Sequence, residues 1–162
     1  MNLNDSEKEI VVVGVGNILA SDDGIGIRAV ELLERSELPS YVKVLDLGTN
    51  FLDITSHIDN VEKLIIIDAI SVGNEPGRLY RFQYDELETI RANMRSAHQI
   101  SILNVLKLLR ELYPKMSECE VVLIGVEPKS IDMGFELSQE VERVLPAIID
   151  KVDKEIAQVS LL

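Results

Sequence analysis

Two carboxylates and one imidazole occupy positions from which they could bind one metal ion. Asp23 lies in the turn after the first apolar run, Asp68 ends a later apolar run, and His98 opens a helix. In an open α/β sheet, ligands bind outside the carboxyl ends of the strands. Oxygen and imidazole ligands together suit a divalent metal of borderline character. The sequence therefore predicts a metal site formed by Asp23, Asp68 and His98.

Each of these residues also has a structural interpretation when it is considered alone. Asp22 or Asp23 could cap the helix that follows the first turn. Asp68 comes directly after four aliphatic residues, so its carboxylate could instead need a hydrogen bond from a neighbouring loop. His98 alone is equally ambiguous. The metal interpretation depends on the placement of the three residues together.

Strand-like and helix-like segments alternate along the chain. Apolar runs predict five strands, over residues 10–15, 42–46, 64–67, 78–82 and 121–126, with the third in the centre of the sheet. Helical spacing of apolar residues predicts a helix after Asp23, a short one over 51–58, one from Ser96 to Pro114, and one after Ser138. This order predicts a single α/β domain over 1–162, with three α/β/α layers and a twisted, mostly parallel sheet of about five strands.

Three local motifs give finer predictions. The turn over residues 74–77 is too short for a helical crossover, so the strand after it is predicted to be an antiparallel edge strand. Ser96 and Gln99 match an S-x-x-Q capping box, which predicts that both cap the helix they open. Pro146 falls inside the apolar stripe of the last helix and predicts a kink there.

The composition argues against several classes of function. The chain has 162 residues, of which 46% are hydrophobic but only 4% aromatic, so an aliphatic core is expected. A net charge of −12 disfavours nucleic acid and anionic membranes, because no basic stripe could neutralise phosphates. No apolar run approaches the ~20 residues that span a bilayer. The acidic first residues are unlike a signal peptide, and a lone cysteine indicates a reducing, cytoplasmic location.

Other motifs for binding or catalysis are incomplete. The glycine turn over residues 14–16 lacks the third glycine of a dinucleotide site, and it would place Asp22 and Asp23 against the pyrophosphate. The chain has no G-x-S-x-G elbow and no H-E-x-x-H helix. His57 is interpreted as a surface residue and Cys119 as a core thiol. The residues alone therefore name neither a substrate nor a catalytic group.

Taken in order, the motifs of this chain resemble those of the nickel-iron hydrogenase maturation endopeptidases. The matching segments extend through nearly the whole sequence: Gly14-Val15-Gly16-Asn17, Asp22-Asp23-Gly24-Ile25-Gly26, Asp46-Leu47-Gly48-Thr49, Ile67-Asp68-Ala69, Pro76-Gly77, His98-Gln99, Gly125-Val126-Glu127-Pro128, Gly134 and Leu137-Ser138. Any one of these pieces is weakly specific, whereas their order and spacing together are highly specific.

This resemblance implies a function as well as a fold. It implies a twisted sheet between helices, with metal ligands at Asp23, Asp68 and His98. It also implies removal of a C-terminal peptide from the large-subunit precursor of a nickel-iron hydrogenase, with the precursor's own nickel as the recognised metal. Asp46 is a candidate supporting carboxylate, with turn formation as the alternative. The group that activates the attacking water is not identified.

A second class of protein shares part of this outline. Phosphorylation-dependent receiver domains also carry an acid pair after the first strand and an aspartate at the end of the third, and they bind magnesium. Asp22, Asp23 and Asp68 would serve in that role. A receiver also needs a lysine that ends the last strand, whereas Lys129 lies beyond it, and a receiver gives no role to His98.

Overall fold

A five-stranded sheet forms the centre of the computed structural model, which describes residues 8–159. Its strands are β1 (Glu9–Gly14), β2 (Val42–Asp46), β3 (Val61–Ala69), β4 (Leu79–Gln83) and β5 (Glu120–Val126), in the order β2-β1-β3-β5-β4. β4 pairs antiparallel with β5 at one edge, and the other pairs are parallel. The predicted architecture is confirmed, with β3 in the centre.

Helices cover both faces of this sheet. They are α1 (Ile25–Glu34), α2 (Tyr84–Arg91), α3 (Ala97–Leu112), α4 (Pro114–Glu118), α5 (Gln139–Glu142) and α6 (Leu145–Ala157), with 3-10 helices over Ser21–Gly24 and Phe51–His57. α1 and α6 pack on one face, and α2 and α3 on the other. Successive residues of a strand point to opposite faces, so a strand covered on both sides is apolar throughout. This explains the unbroken apolar run over residues 64–67 of β3.

The structure corrects one helix prediction and adds a helix that the sequence did not indicate. Pro146 lies in the first turn of α6, where a proline is tolerated, so the last apolar stripe is divided between α5 and α6 and contains no kink. α2 was not predicted from the sequence. It begins at a capping box in which the side chains of Gln83 and Glu86 bind each other's backbone N–H groups.

The order of the strands places a binding crevice beside β1. The chain passes from β1 to β2 on one side and then crosses to β3 on the other side of β1. Such a reversal opens a crevice at the carboxyl ends of the two diverging strands. Asp23 follows β1 and Asp68 lies near the end of β3, so the fold brings both to this crevice.

Among residues 8–159, no helix is long and apolar enough to cross a membrane.

Candidate metal-binding site

Asp68 is a buried carboxylate with little compensation for its charge. It is 2% exposed, and its Oδ1 accepts one hydrogen bond, from the Ala69 N–H at 2.8 Å. Burial, and then the nearby charge of Asp23, raise the pKa of Asp68 well above its usual range, against the opposing effect of the Ala69 N–H. A small apolar cavity adjoins Asp68 and is lined by Ile70, Met94, Gln99, Ile102, Leu103 and Leu123. A cation next to the Asp68 carboxylate would stabilise its ionised form.

His98 presents an unpartnered nitrogen to Asp68. It is the second residue of α3, and its Nε2 lies 4.0 Å from Asp68 Oδ2. This separation is too long for a hydrogen bond. The Nε2 atom is buried and has no hydrogen-bond partner. Since metal–nitrogen and metal–oxygen bonds are about 2.0–2.2 Å long, one ion could contact both atoms.

Asp23 lies beside this pair, in the 3-10 helix after β1. Its Oδ2 accepts a hydrogen bond from the Asn17 N–H at 2.9 Å. Gly16, with φ of +139°, passes so close that a Cβ there would lie 1.9 Å from the Asp23 carbonyl oxygen and 3.7 Å from Asp68 Oδ1. The glycine therefore lets this turn approach both acids.

The three predicted ligands converge at one edge of the sheet, but they do not form a closed shell. Within residues 8–159, no three His, Cys, Asp or Glu side chains are arranged to hold a metal ion by themselves. Asp68 and His98 face each other at 4.0 Å, and Asp23 lies near enough for its charge to act on Asp68. The metal-binding role of the three residues stays a prediction.

Asp22 has a different role from its neighbour Asp23, and the predicted helix cap is wrong. Gly24 occupies the N-cap position of α1 without a side-chain cap. The fully buried Asp22 carboxylate accepts four hydrogen bonds: from the N–H (2.7 Å) and hydroxyl (2.8 Å) of Ser138, and from the N–H groups of Lys129 (2.8 Å) and Ser130 (3.2 Å). Asp22 therefore ties the segment after β5 to the turn that carries Asp23.

Gln99 also departs from the prediction, since it does not form a capping box. Ser96 makes no side-chain cap bond. The buried Gln99 amide instead donates from Nε2 to the Ala69 carbonyl (2.6 Å) and accepts at Oε1 from the Ser71 N–H (3.3 Å). The side chain therefore ties α3 to the end of β3.

Sequence reasoning gave no role to Glu127. This residue follows β5 and is 3% exposed, and its carboxylate accepts hydrogen bonds from the N–H groups of Val72 (3.2 Å) and Gly73 (2.9 Å) and from the Tyr80 hydroxyl (2.8 Å). It fixes the segment between β3 and β4. The sequence feature that singled out Asp68, an acidic residue directly after a run of aliphatic residues, could also have identified Glu127.

Asp46 and Cys119 have structural roles, and His57 is partly exposed. Asp46 Oδ1 accepts from the Gly48 N–H at 2.9 Å, which is the turn-forming alternative. Cys119 is buried, and burial raises the pKa of its thiol to about 12, which agrees with a core thiol. His57 ends the 3-10 helix after β2 and is partly exposed.

Comparisons with known proteins agree with this fold. Residues 27–155 match the family model of hydrogenase maturation proteases. The hydrogenase 2 maturation protease of Escherichia coli (strain K12) is 38% identical over 147 residues, which are 88% of this chain and 87% of that protein. The solved hydrogenase maturating endopeptidase HybD of Escherichia coli is similar at a TM-score of 0.82 and 34% identity, over 93% of both chains. The [NiFe] hydrogenase maturation protease HybD of Thermococcus kodakarensis has a TM-score of 0.80 at 33% identity, over 91% of this chain and 98% of that one.

Proposed function

We propose that this chain, which belongs to the hydrogenase maturation protease family, removes a C-terminal peptide from the nickel-loaded large-subunit precursor of a nickel-iron hydrogenase. The observation that carries the proposal is the buried, unpartnered Nε2 of His98, 4.0 Å from the nearly fully buried Asp68. An unpartnered buried nitrogen beside a buried acid is costly unless a ligand binds both.

The nickel enters this reaction with the substrate. Two carboxylates and one imidazole leave coordination positions open. Ligands from the precursor would fill those positions, so that the ion joins the two proteins and places the scissile peptide near the site. Asp23, Asp68 and His98 would contact the ion, and a precursor without nickel would lack this link.

The surface beside Asp23 suits a protein substrate. Leu19, Met133 and Phe135 are 50%, 95% and 71% exposed on two neighbouring segments. Backbone hydrogen bonds join the segments, from the Gly134 N–H to the Leu19 carbonyl (2.9 Å) and from the Ser21 N–H to the Gly134 carbonyl (3.0 Å). A preformed apolar surface next to a candidate site is typical of protein recognition. We assign it to residues of the precursor that flank the scissile bond.

The receiver-domain alternative is not supported. The family match identifies a protease. In addition, both carboxylate oxygens of Asp22 accept protein hydrogen bonds, so Asp22 is occupied within the fold. We also propose that the protein acts in the cytoplasm.

A cleavage assay tests the proposal directly. The protein is incubated with nickel-loaded or nickel-free precursor, and the size of the large subunit is followed. We expect trimming of the loaded form only, loss of trimming with His98→Ala, and normal trimming with the matched control His57→Ala. Efficient trimming of the nickel-free form under chelation would overturn nickel recognition. Failure to trim either form would overturn the proposed substrate.

A further inference from the structure

Gln99 joins the two elements that carry Asp68 and His98. It is 5% exposed, and both ends of its amide are used. The Ala69 carbonyl that it contacts follows Asp68 directly in β3, and Gln99 itself follows His98 directly in α3. The Gln99 amide therefore ties the helix turn that carries His98 to the backbone next to Asp68.

In the described part of the chain, few other hydrogen bonds hold the start of α3 against β3. The Arg95 N–H donates to the Ser71 carbonyl at 2.9 Å, and this contact lies before the helix begins. Ser96 contributes no side-chain cap. Within the helix itself, the Gln99 amide is the polar contact that fixes the first turn relative to the end of β3. Because His98 shares that turn, its distance from Asp68 depends on this contact.

We propose that Gln99 is a positioning residue that sets the His98–Asp68 separation and so determines how well the site binds the nickel carried by the precursor. This inference rests on the proposed function. The role needs an amide, because Nε2–H must donate to a carbonyl while Oε1 accepts from an N–H. A methionine of similar length keeps the packing but makes neither bond. An ionised glutamate keeps only the acceptor.

The experiment compares Gln99→Met and Gln99→Glu with the wild type. Gln83→Met is the matched control, since it removes the capping glutamine of α2 at the opposite edge of the sheet. The chain contains only two histidines. In protein labelled with ¹⁵N-histidine, the ring of His98 therefore reports on added Ni²⁺, up to millimolar concentration, and the ring of His57 serves as an internal reference. Precursor trimming is measured in parallel, below the melting temperature of every variant.

We expect Gln99→Met to weaken the nickel response of His98 by about 10- to 100-fold, the usual effect of removing a group that orients a metal ligand. The ratio kcat/KM for loaded precursor should fall with it, while His57 and Gln83→Met stay unchanged. Gln99→Glu should lie between, and it decides the test if Gln99→Met does not fold. An unchanged His98 response, an equal loss in Gln83→Met, or a wild-type His98 that does not respond to nickel would overturn the inference. If the wild type does not trim loaded precursor, while its His98 responds to nickel and the Gln99 variants lose that response, the proposed substrate is wrong and the positioning role of Gln99 stands.

Discussion

Asp68→Asn should stabilise the isolated protein while it abolishes precursor trimming. The substitution keeps the acceptor for the Ala69 N–H and removes a buried charge that faces Asp23. The new amide group would also lie beside the unpartnered His98 Nε2. Relief of one uncompensated buried group is worth about 1–3 kcal/mol. At about 2–4 °C per kcal/mol for a chain of this size, the melting temperature should rise by roughly 2–12 °C.

The sign of the pH dependence gives a sharper test. Because the pKa of Asp68 is raised in the folded state, the folded protein holds this proton more tightly than the unfolded chain does. Because the unfolded chain loses this proton first, the free energy of unfolding falls as the pH rises from the unfolded pKa of about 3.9 to the raised pKa of the folded state, and it falls no further above that. The stability difference between Asp68→Asn and the wild type should be near zero at about pH 4 and should grow toward higher pH.

Urea denaturation at several pH values, with a chelator present, measures this difference. Asp46→Asn is the matched control, since Asp46 is an exposed turn residue and asparagine can accept the same Gly48 hydrogen bond. The control should change neither stability nor trimming. A variant Asp68→Asn that is less stable than the wild type at pH 8 would refute the reasoning, because the charge would then be compensated in the fold. Normal trimming by this variant would refute a role as a ligand.

Four further outcomes follow from the contacts and from the open site. His98→Ala should change the melting temperature little, because the ring is partly exposed and makes no hydrogen bond through Nε2; a large loss in a thermal melt would indicate a structural role. Asp22→Ala should lower the free energy of unfolding by about 3–5 kcal/mol in urea, because buried N–H groups lose their acceptor, whereas the exposed Asp132→Ala should have little effect. Met133→Asp should raise KM for loaded precursor about tenfold at unchanged kcat, and an equal effect of Leu112→Asp, at the far end of α3, would contradict a specific docking surface. Calorimetry should show that the isolated protein binds nickel with a smaller free energy than a closed four-ligand metal site, which provides about 10 kcal/mol. Tight binding would contradict an open site.

Much of the fold could be predicted because its determinants are local. The apolar runs set the strands, and the short turn before β4 required an antiparallel neighbour. α2 was missed because its surface is mostly polar and only Leu87 is buried. Pro146 was misplaced because an apolar stripe does not show where one helix ends and the next begins. A proline inside such a stripe is equally consistent with a kink and with a new first turn.

The polar contacts of the site could not be predicted, since they join residues that are distant in sequence. Asp22 binds the N–H of Ser138, 116 positions away, and Glu127 binds that of Val72, 55 positions away. Gln99 reaches Ala69 across 30 positions. Asp22 and Gln99 also have plausible local roles, as a helix cap and in a capping box, and the sequence favours those simpler interpretations. Only the fold shows which distant backbone groups need an acceptor.

The buried charges of the described chain distinguish structural acids from the candidate ligand. Lys63 pairs with Glu155 at 2.6 Å, and Asp22 and Glu127 each accept several hydrogen bonds from backbone and hydroxyl groups. These groups are satisfied within the fold, as buried charges in stable proteins are expected to be. Asp68 is as deeply buried, but it has one backbone donor and faces another acid and an unpartnered imidazole. Within the described residues the other buried charges are compensated and Asp68 is not, which is why we propose that the nickel of the precursor binds here.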